Sequence, residues 1–427
     1  MSEAEVAEKG QPTGPRWGAF SYPNYRRFWL ASLVRVFGIQ FRFIGSGWLV
    51  AVELDRSPLW LGVVGLANAI PTITLSMPAG VLADRMDHRR LLVTSQASIT
   101  LGTLLIALFV VVGAVELWMV IVWSVVNGSL MALATPAQSA ILPRLVEMRS
   151  MVSAVAANSA IWNSMRILGP ALAGVLIAVV GTGHAFLVTA AGYAISTVLL
   201  FTLRLAPLER DPGHQTGGMM EGVQYIFSER LFLAVIGLSF FTSVFGMSYQ
   251  TLLPIIADDI LEVGSTGFGF MEAAAGVGAL LGTVAIVKIG TRERSGPAML
   301  VGAALFGLLI AAFAATRWLP LSMVLLFTAG FASSVYLNIG MMTLQVLVPD
   351  YLRGRVMGIW SMTWFLAAVG GFVAGAAAEL IGTPWTVALG GLSVSAFVGF
   401  LFAASSNLRK LSAAAPPGSD APQPAGG

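Results

Sequence analysis

A short charged stretch, residues 80–90, interrupts the apolar character of this chain between two long hydrophobic runs. It reads Gly-Val-Leu-Ala-Asp-Arg-Met-Asp-His-Arg-Arg, and the runs beside it cover approximately 59–82 and 91–115. The stretch is too short to be a domain. Because a bilayer core of roughly 30 Å needs about 20 apolar residues in a helix, each run is long enough to cross a membrane. The sequence therefore predicts two membrane helices joined by a tight basic turn.

Apolar runs of this length recur along the whole chain. Apolar residues make up 56% of the 427 residues and charged residues 11%, well below the usual charged share of a soluble domain. The pattern predicts an all-α membrane protein with twelve transmembrane helices. These predicted helices, called spans 1 to 12, cover approximately 28–52, 59–82, 91–115, 117–141, 151–180, 184–203, 231–253, 267–287, 299–316, 318–346, 356–380 and 385–404.

The basic residues are distributed unevenly between the two sides of the predicted membrane. A pI near 9.4 alone would fit a nucleic-acid-binding protein. However, if the N-terminus is cytoplasmic, 19 of the 24 Lys and Arg residues fall on the cytoplasmic side, and Arg56 and Arg317 are the basic residues of the opposite loops. This is the positive-inside bias that sets the orientation of membrane proteins. We therefore predict a bacterial inner-membrane protein with both termini in the cytoplasm and no nucleic-acid partner.

Several classes of chemistry lack their sequence signatures. The chain has no cysteine, which excludes disulfides, cysteine-ligated zinc and thiol catalysis. It has no phosphate-binding G-x-x-x-x-G-K-[ST] motif, and its three histidines are too scattered for a metal site. Residues 1–24 are polar, so we expect span 1 to act as the insertion signal. We therefore expect no enzymatic activity, no cofactor and no metal.

The chain also repeats itself, which predicts two pseudo-symmetric six-helix bundles. Three glycines recur 201 positions later, and a proline and an arginine recur 206 positions later. The glycine pairs are Gly169 with Gly370, Gly174 with Gly375 and Gly181 with Gly382, and the others are Pro143 with Pro349 and Arg149 with Arg355.

The repeat and the polar stretches divide the chain into five parts. The segment 204–230 is the longest polar stretch inside the chain, and its second part reads as a short amphipathic helix on the cytoplasmic face. The C-terminal tail is rich in Pro, Ala and Gly, and we expect it to be disordered. The predicted parts are an N-terminal segment (1–24), the N-terminal bundle (25–203), the linker (204–230), the C-terminal bundle (231–404) and the tail (405–427).

Ionisable side chains are rare inside the predicted spans, and each is costly to place in a membrane. Arg35 and Arg42 lie in span 1, about two helical turns apart, so both project from nearly the same face. Arg166 lies near the middle of span 5, and Glu272 lies within span 8. These four residues are the candidates for the substrate cavity and for ion coupling.

Glu272 is the clearest intramembrane carboxylate in the sequence, and it has two interpretations. Burial favours its neutral form, whereas a nearby arginine favours its charged form. A carboxylate balanced between these effects can carry a proton while the cavity alternates between the two sides of the membrane. Equally, Glu272 and Arg166 can form a structural ion pair between the halves.

Arg35 and Arg42 likewise have two interpretations. Their guanidinium groups can line the cavity and attract an anionic substrate. Alternatively, they can snorkel to the interface or pair with backbone carbonyls, and this is favoured for Arg35 because it lies nearer the cytoplasmic edge.

The charged stretch at 80–90 resembles the loop between helices 2 and 3 of the major facilitator superfamily of transporters. Asp87 and His88 stand where the family usually has a glycine and a basic residue. The resemblance implies a major facilitator fold. It also implies that Asp84 caps the N-terminus of span 11, which closes the cytoplasmic side and favours the outward-open state. The matching residues, which form the predicted conformational gate, are Gly80, Asp84, Arg85 and Arg89.

A second resemblance concerns span 5 and the direction of transport. Gly169, Pro170 and Gly174 resemble the helix 5 "G-P-x-x-G" motif of facilitator-type exporters, which is associated with antiport. Proline there bends the helix, and the same motif is also compatible with a packing kink alone. Further segments, including Asn24-Tyr-Arg-Arg-Phe-Trp-Leu and Val348-Pro-Asp-Tyr-Leu-Arg-Gly-Arg-Val, resemble the branch with enterobactin exporters and drug-efflux proteins.

These resemblances imply a secondary transporter that exports a small amphipathic molecule, drug-like or siderophore-like, by proton antiport with alternating access. We expect it to work as a monomer in the lipid bilayer, with the substrate and the proton as its ligands. Two alternatives remain open. One is an uptake permease for an organic anion or a lysophospholipid, and the other is a membrane sensor that uses the same fold without transport.

Overall fold

The computed structural model describes residues 18–203, 219–289 and 295–404. Within these residues the chain is almost entirely helical, and twelve helical segments are long and apolar enough to cross a membrane, as predicted. Span 7 consists of two helices separated by a π-helical turn, and span 11 consists of two helices separated at 363–365. In order, the spans are Pro23–Trp48, Pro58–Arg85, His88–Val112, Leu117–Ile141, Met151–Val180, Thr182–Phe201, Arg230–Phe241 with Tyr249–Ile255, Gly264–Ile289, Ser295–Ala315, Leu319–Leu347, Asp350–Met362 with Leu366–Ile381, and Thr383–Ala404.

The twelve spans pack as two bundles, spans 1–6 and spans 7–12. Within the first bundle span 2 packs on span 4 and span 3 on span 6, and within the second span 8 packs on span 10 and span 9 on span 12. The most extensive contacts between the bundles join span 2 to span 11 and span 5 to span 8. The two bundles therefore meet along two helix pairs, with spans 1 and 7 between them.

The backbone repeats its irregularities in the two halves. A π-helical turn ends span 1 at Leu49–Glu53, and another ends span 7 at Ile256–Ile260, 207 positions later. The residues that follow, Asp55 and Glu262, have left-handed φ angles of 46° and 52° and are separated by the same interval. Since such angles are uncommon outside glycine, their recurrence gives the register between spans 1–2 and spans 7–8.

The glycine repeat predicted from the sequence is also present in the packing. Gly181 and Gly382 end spans 5 and 11 with φ angles of 86° and 84°. About two turns earlier, Gly174 packs against the carbonyl of Ser265 on span 8, and Gly375 packs against the carbonyl of Pro58 on span 2. These two contacts are equivalent, so the same helix crossing is built twice, at the two joints between the halves.

The halves touch at one end of the bundle and separate at the other. We call the end with residues 54–57 and 261–263 the distal end, and the opposite end the linker end. One continuous apolar core joins both halves around the distal end and includes the stacked rings of Trp48 and Phe268. At the linker end the N-terminal half has a separate core of its own. An added Cβ at Gly80, Gly354 or Gly358 would meet no atom within 4 Å, so the linker ends of spans 2 and 11 are loosely surrounded.

A short helix, Met219–Ser228, lies before span 7 at the linker end. We call it the linker helix. Its Glu221 forms an ion pair with Arg355 of span 11, and its Ile226 is buried. Gly222 lies against the Arg355 side chain, which lets the linker helix approach span 11 closely. The helix is thereby attached to the C-terminal half. Residues 1–17, 204–218 and 405–427, which include predicted terminal and linker segments, lie outside the described residues.

Candidate functional site

A cavity of about 230 Å³ lies between the two halves. Its walls come from spans 1, 2 and 4 of the first half and from spans 7 and 8 of the second. The wall is mostly apolar or small, and its one charged residue is Arg42. Lining residues are Arg42, Phe43, Ser46, Gly47, Leu61, Val64, Gly65, Asn68, Ser124, Gln250, Thr251, Pro254 and Phe268. A cavity that both halves build is the place where alternating access exposes a ligand to each side in turn.

Arg42 places a positive charge in this cavity. Its side chain is half-buried, its Nε is enclosed without a hydrogen-bond partner, and no carboxylate lines the cavity. Because an arginine inside a membrane segment is costly without water or a counter-charge, this arrangement suits an anionic ligand. Guanidinium groups bind carboxylates through paired hydrogen bonds, which would also orient such a ligand.

The N-terminal wall of the cavity is held by a polar network between spans 2 and 4. Asn68 donates to the carbonyl oxygen of Ser124 over 3.2 Å and to Oδ1 of Asn127 over 3.1 Å. The hydroxyl of Thr72 donates to the carbonyls of Asn68 and Gly128. Asn68 was not predicted as a site residue from the sequence, because a single polar residue in a span is usually a packing residue. Only the structure shows that it lines the cavity and braces its wall.

Arg166 lies at a second cavity, of about 350 Å³. Spans 8, 10 and 11 provide the other walls, with several aromatic and thioether side chains and no carboxylate. Lining residues are Arg166, Thr283, Ser334, Leu337, Asn338, Met341, Met357, Trp360, Ser361 and Trp364. Arg166 itself is exposed although it lies in the middle of a 30-residue helix. The side chain therefore faces open space rather than packed protein.

Glu272 is buried in the C-terminal half, with 8% of its surface exposed. Its Oε1 is enclosed without a hydrogen-bond partner. Arg166 and Tyr249 are near enough to interact with it electrostatically, but no ion pair within 4.0 Å joins Glu272 to Arg166. The predicted structural ion pair is therefore not formed in this conformation, and the role of Glu272 in coupling stays a prediction.

Arg35 lies away from both cavities. It is 6% exposed and lines a small enclosed space with Gln138 and Ser196, inside the bundle of spans 1, 3, 4 and 6. Although Arg35 and Arg42 share one span, the structure does not bring them to one cavity. Arg35 therefore stays a candidate for substrate binding only because of its charge. Arg42 is a candidate because of its charge and because it lines the cavity between the halves.

The predicted gate lies at the linker end, at the junction of spans 2 and 3. Arg89 donates to the carbonyl of Phe201 and stacks over its ring, with 5.2 Å between the guanidinium carbon and the ring centroid. It thus binds the end of span 6 within its own half. Asp87 caps span 3 by accepting from the backbone N–H of Arg90 over 2.8 Å. Asp84 and Arg85 end span 2, and their side chains lie outside the part of the chain that the structure describes.

The span 5 motif lies at the joint between spans 5 and 8. Gly174 packs against Ser265 and Gly269, and Gly269 in turn packs against the carbonyl of Pro170. Gly169 packs on the side chain of Gln40 in span 1. All three motif residues are at close helix contacts, as small or kinking residues in membrane helices usually are. Whether they also take part in antiport stays a prediction.

The glycines of span 8 divide between two neighbours. Gly276 faces the carbonyl of Arg166 on span 5, whereas Gly278 and Gly282 face carbonyls of span 10 in the same half. Only the first of these three glycines lies at a joint between the halves. The other two pack the C-terminal bundle internally.

Comparison of the sequence with known protein families identifies the family of this chain. The profile of one family, described as transmembrane secretion effectors, matches residues 14–425. The chain belongs to this family of the major facilitator superfamily. It is therefore a multi-pass membrane transporter with twelve spans in its described residues.

Two relatives of this chain are described as transporters. The chain is 26% identical over 379 residues to the staphyloferrin A transporter of Staphylococcus aureus, covering 86% of this chain and 92% of that one. It is 23% identical over 347 residues to the enterobactin exporter EntS of Shigella boydii, covering 80% and 82%. These matches confirm the predicted family and branch.

Solved structures confirm the fold. The nucleoside transporter NupG superposes with a TM-score of 0.74 at 14% identity, covering 89% of this chain and 98% of that one. A bacterial homolog of the human lysosomal transporter Spinster, in an inward-facing unoccupied conformation, superposes with a TM-score of 0.68 at 16% identity, covering 90% and 96%. At such identities the likeness concerns the fold alone.

Proposed function

We propose that the protein exports a small amphipathic molecule, siderophore-like or drug-like, by proton antiport with alternating access. The observation that carries the proposal is the cavity around Arg42. It lies between the halves, and it combines apolar walls with a guanidinium whose enclosed Nε has no hydrogen-bond partner. Close helix crossings join the halves toward the distal end. An amphipathic molecule matches such a wall, with its polar group at Arg42 and its apolar part on Phe43 and Phe268.

The conformation fits the loading step of an exporter in the predicted orientation. Under the positive-inside bias the linker end faces the cytoplasm and the distal end faces outward, in the bacterial inner membrane. The halves meet at the distal end and separate at the linker end. A cytoplasmic molecule would then reach the cavity in this state and leave after the joints have rocked to the opposite state.

Glu272 supports the proton part of the proposal. It is a carboxylate inside a span, it is buried, and one of its oxygens has no hydrogen-bond partner. It contacts the joint between the halves, because Gly269 and Gly276 on the same face of span 8 pack against span 5. Rocking at this joint would change the exposure of Glu272 to water and to Arg166, and so its affinity for a proton.

The relatives support the direction of transport and the class of substrate. Two of them are described as a staphyloferrin A transporter and an enterobactin exporter. Similarity to these proteins along most of the chain is the reason to prefer export of a siderophore-like molecule. The uptake of an organic anion or a lysophospholipid fits Arg42 equally well, so direction needs its own measurement.

The proposal is tested with the purified chain in liposomes. A pH gradient is imposed, and a panel of siderophores, drugs and lysolipids is offered on one side at a time. We expect at least one panel member to move against its gradient when protons flow the opposite way. Movement only together with protons would indicate an uptake permease. Binding without any movement would indicate a sensor.

Arg42→Gln is the matched variant for this test, with Arg317→Gln in an outer loop as the control for loss of one arginine. We expect Arg42→Gln to lose most export and Arg317→Gln to retain it. Full export by Arg42→Gln would show that the cavity around Arg42 does not hold the substrate.

A further inference from the structure

The Arg166 cavity is a second cavity in the space between the halves. It is lined by residues from the linker-end parts of spans 8, 10 and 11, such as Thr283, Asn338 and Trp360. The Arg42 cavity is lined by distal parts of spans 2, 7 and 8, such as Leu61, Pro254 and Phe268. The two cavities therefore lie at successive depths along the bundle.

The two cavities have the same electrostatic design. Each is lined by one arginine and by no carboxylate. Neither arginine forms an ion pair within 4.0 Å among the described residues. A charge held inside the span of a membrane helix has a large desolvation cost unless water or a counter-ion meets it. Arg42 has no carboxylate in its cavity, and Arg166 interacts with the buried Glu272 only from beyond ion-pair distance. Two such charges suit a ligand that brings two negative groups.

Two neighbouring residues of span 7 relate the two cavities. Tyr249 is near enough to Arg166 and to Glu272 to interact electrostatically with both, and its neighbour Gln250 lines the Arg42 cavity. Tyr249 is buried and lines neither cavity, so it packs near both sites and beside the buried carboxylate. An extended molecule bound at both guanidinium groups would pass along span 7.

The size of the cavities favours a shared ligand. Pockets that enclose a drug-sized molecule are usually about 300–1,000 Å³. At about 230 Å³ the Arg42 cavity holds only part of such a molecule. The Arg166 cavity adds about 350 Å³, so the two cavities together offer more than twice the volume of the Arg42 cavity alone. Trp360, Trp364 and Met357 offer apolar and aromatic surface for the rest of the molecule.

Building on the proposed function, we infer that the transported molecule carries two anionic groups on an apolar body, one bound at Arg42 and the other at Arg166. Carboxylates are the expected groups, because a guanidinium binds them with two parallel hydrogen bonds. The Arg166 cavity, nearer the linker end, receives the molecule first. An anionic group bound at Arg166 would lie near Glu272 and repel its negative charge. Binding of such a molecule is thereby linked to the protonation of Glu272.

The test measures binding to the full chain in detergent by isothermal titration calorimetry. The probes are adipate, sebacate and hexadecanedioate, each beside its monomethyl ester. The ester has the same apolar body and one negative charge fewer. We expect one of the three diacids to bind about tenfold or more tightly than its ester, because one charge-assisted contact is lost. Equal binding of diacid and ester at all three lengths would overturn the inference.

Variants test whether Arg166 binds the second anionic group of the diacid. In Arg166→Gln and in Arg42→Gln we expect the ratio of ester to diacid dissociation constants to fall close to one, whereas Arg317→Gln keeps the parental ratio. Arg166→Lys, which preserves the positive charge, should keep most of the preference for the diacid over its ester. Binding of the ester itself, together with thermal melting, shows that each variant is folded. A parental ratio in Arg166→Gln, or loss of the ratio in Arg166→Lys, would count against the second site.

This measurement is separate from the test of export, because binding in detergent needs no gradient. If a diacid preference is present but no panel member moves in liposomes, the two-anion site stands and the export proposal fails. If export occurs but diacids and esters bind alike in all chains, the opposite conclusion follows.

Discussion

Glu272 in span 8 takes the place that Gly65 has in span 2. The interval of 207 positions that relates Asp55 to Glu262, with their matching left-handed φ angles, also relates these two residues. Gly65 lines the Arg42 cavity, whereas Glu272 is buried beside the joint of spans 5 and 8. By the same interval Tyr249 corresponds to Arg42. The two halves therefore share one architecture, but each of these two charges corresponds to an uncharged residue in the other half.

This asymmetry separates two tasks within one repeated fold. The N-terminal half provides a cation toward the cavity, and the C-terminal half provides a carboxylate behind Tyr249. Because the two charges lie on different halves, rocking changes the distance between them.

Glu272→Gln should separate exchange from gradient-driven transport. Glutamine keeps the shape of the side chain but cannot release a proton, so the variant should still exchange substrate between the two sides of a liposome. It should lose uphill export driven by a pH gradient. Glu116→Gln, in the loop before span 4, is the control, since its carboxylate only accepts from the indole N–H of Trp118. If Glu272→Gln retains full uphill export, Glu272 is structural. Asp258 or Asp259, in the π-helical turn that ends span 7, then becomes the candidate for proton coupling.

Gly375→Ala should weaken closure of the distal end. An added Cβ would stand 2.5 Å from the carbonyl oxygen of Pro58 and 3.0 Å from the Cα of Leu59, so the helices must separate. Overpacking of this kind costs about 1–3 kcal/mol. We expect a single cysteine introduced in the loop at 54–57 to react faster with an aqueous maleimide. Gly399→Ala, where no atom lies within 4 Å, is the control. Equal reaction rates in both variants would contradict closure by this crossing.

Asp84→Asn should weaken closure of the linker end if Asp84 caps span 11 in the opposite state. Loss of one charge at a helix N-terminus costs roughly 0.3–2 kcal/mol, enough to shift a balanced equilibrium several-fold. The chain has no cysteine, so single cysteines placed at Gly80 or Gly354 report accessibility directly. They should react faster in Asp84→Asn than in the parent. The control is Asp87→Asn, which removes the same charge from the same loop but affects the cap of span 3. Unchanged reaction rates in Asp84→Asn would refute the capping of span 11 by Asp84.

The orientation of the chain is checked with reporter fusions. Fusions after Lys410 and within the linker, 204–230, should be active only as cytoplasmic reporters, because the basic residues concentrate on that side. A fusion in the loop at 54–57 serves as the opposite control. A periplasmic signal from the first two fusions would reverse the assignment of the distal end.

The sequence by itself determined the architecture. Twelve apolar runs can satisfy their backbone hydrogen bonds in a bilayer only as helices, so their number and order follow from composition and length. The recurring glycines at 169, 174 and 181 and at 370, 375 and 382 already revealed the duplication, because close helix crossings and helix ends restrict a position to glycine. The charged stretch at residues 80–90, between two apolar runs, was sufficient to suggest the superfamily.

The tertiary structure alone decided which polar residues share a site. Arg35 and Arg42 project from similar faces of one helix, but only packing shows that one lines the cavity and the other lies inside its own bundle. Likewise Arg166 and Glu272 suggested an ion pair, and the structure places Arg166 in an open cavity and Glu272 in a buried position. Helical periodicity fixes a side chain's direction on its own helix. The identity of its neighbours depends on the rotation and tilt of the other helices, which many weak contacts set together.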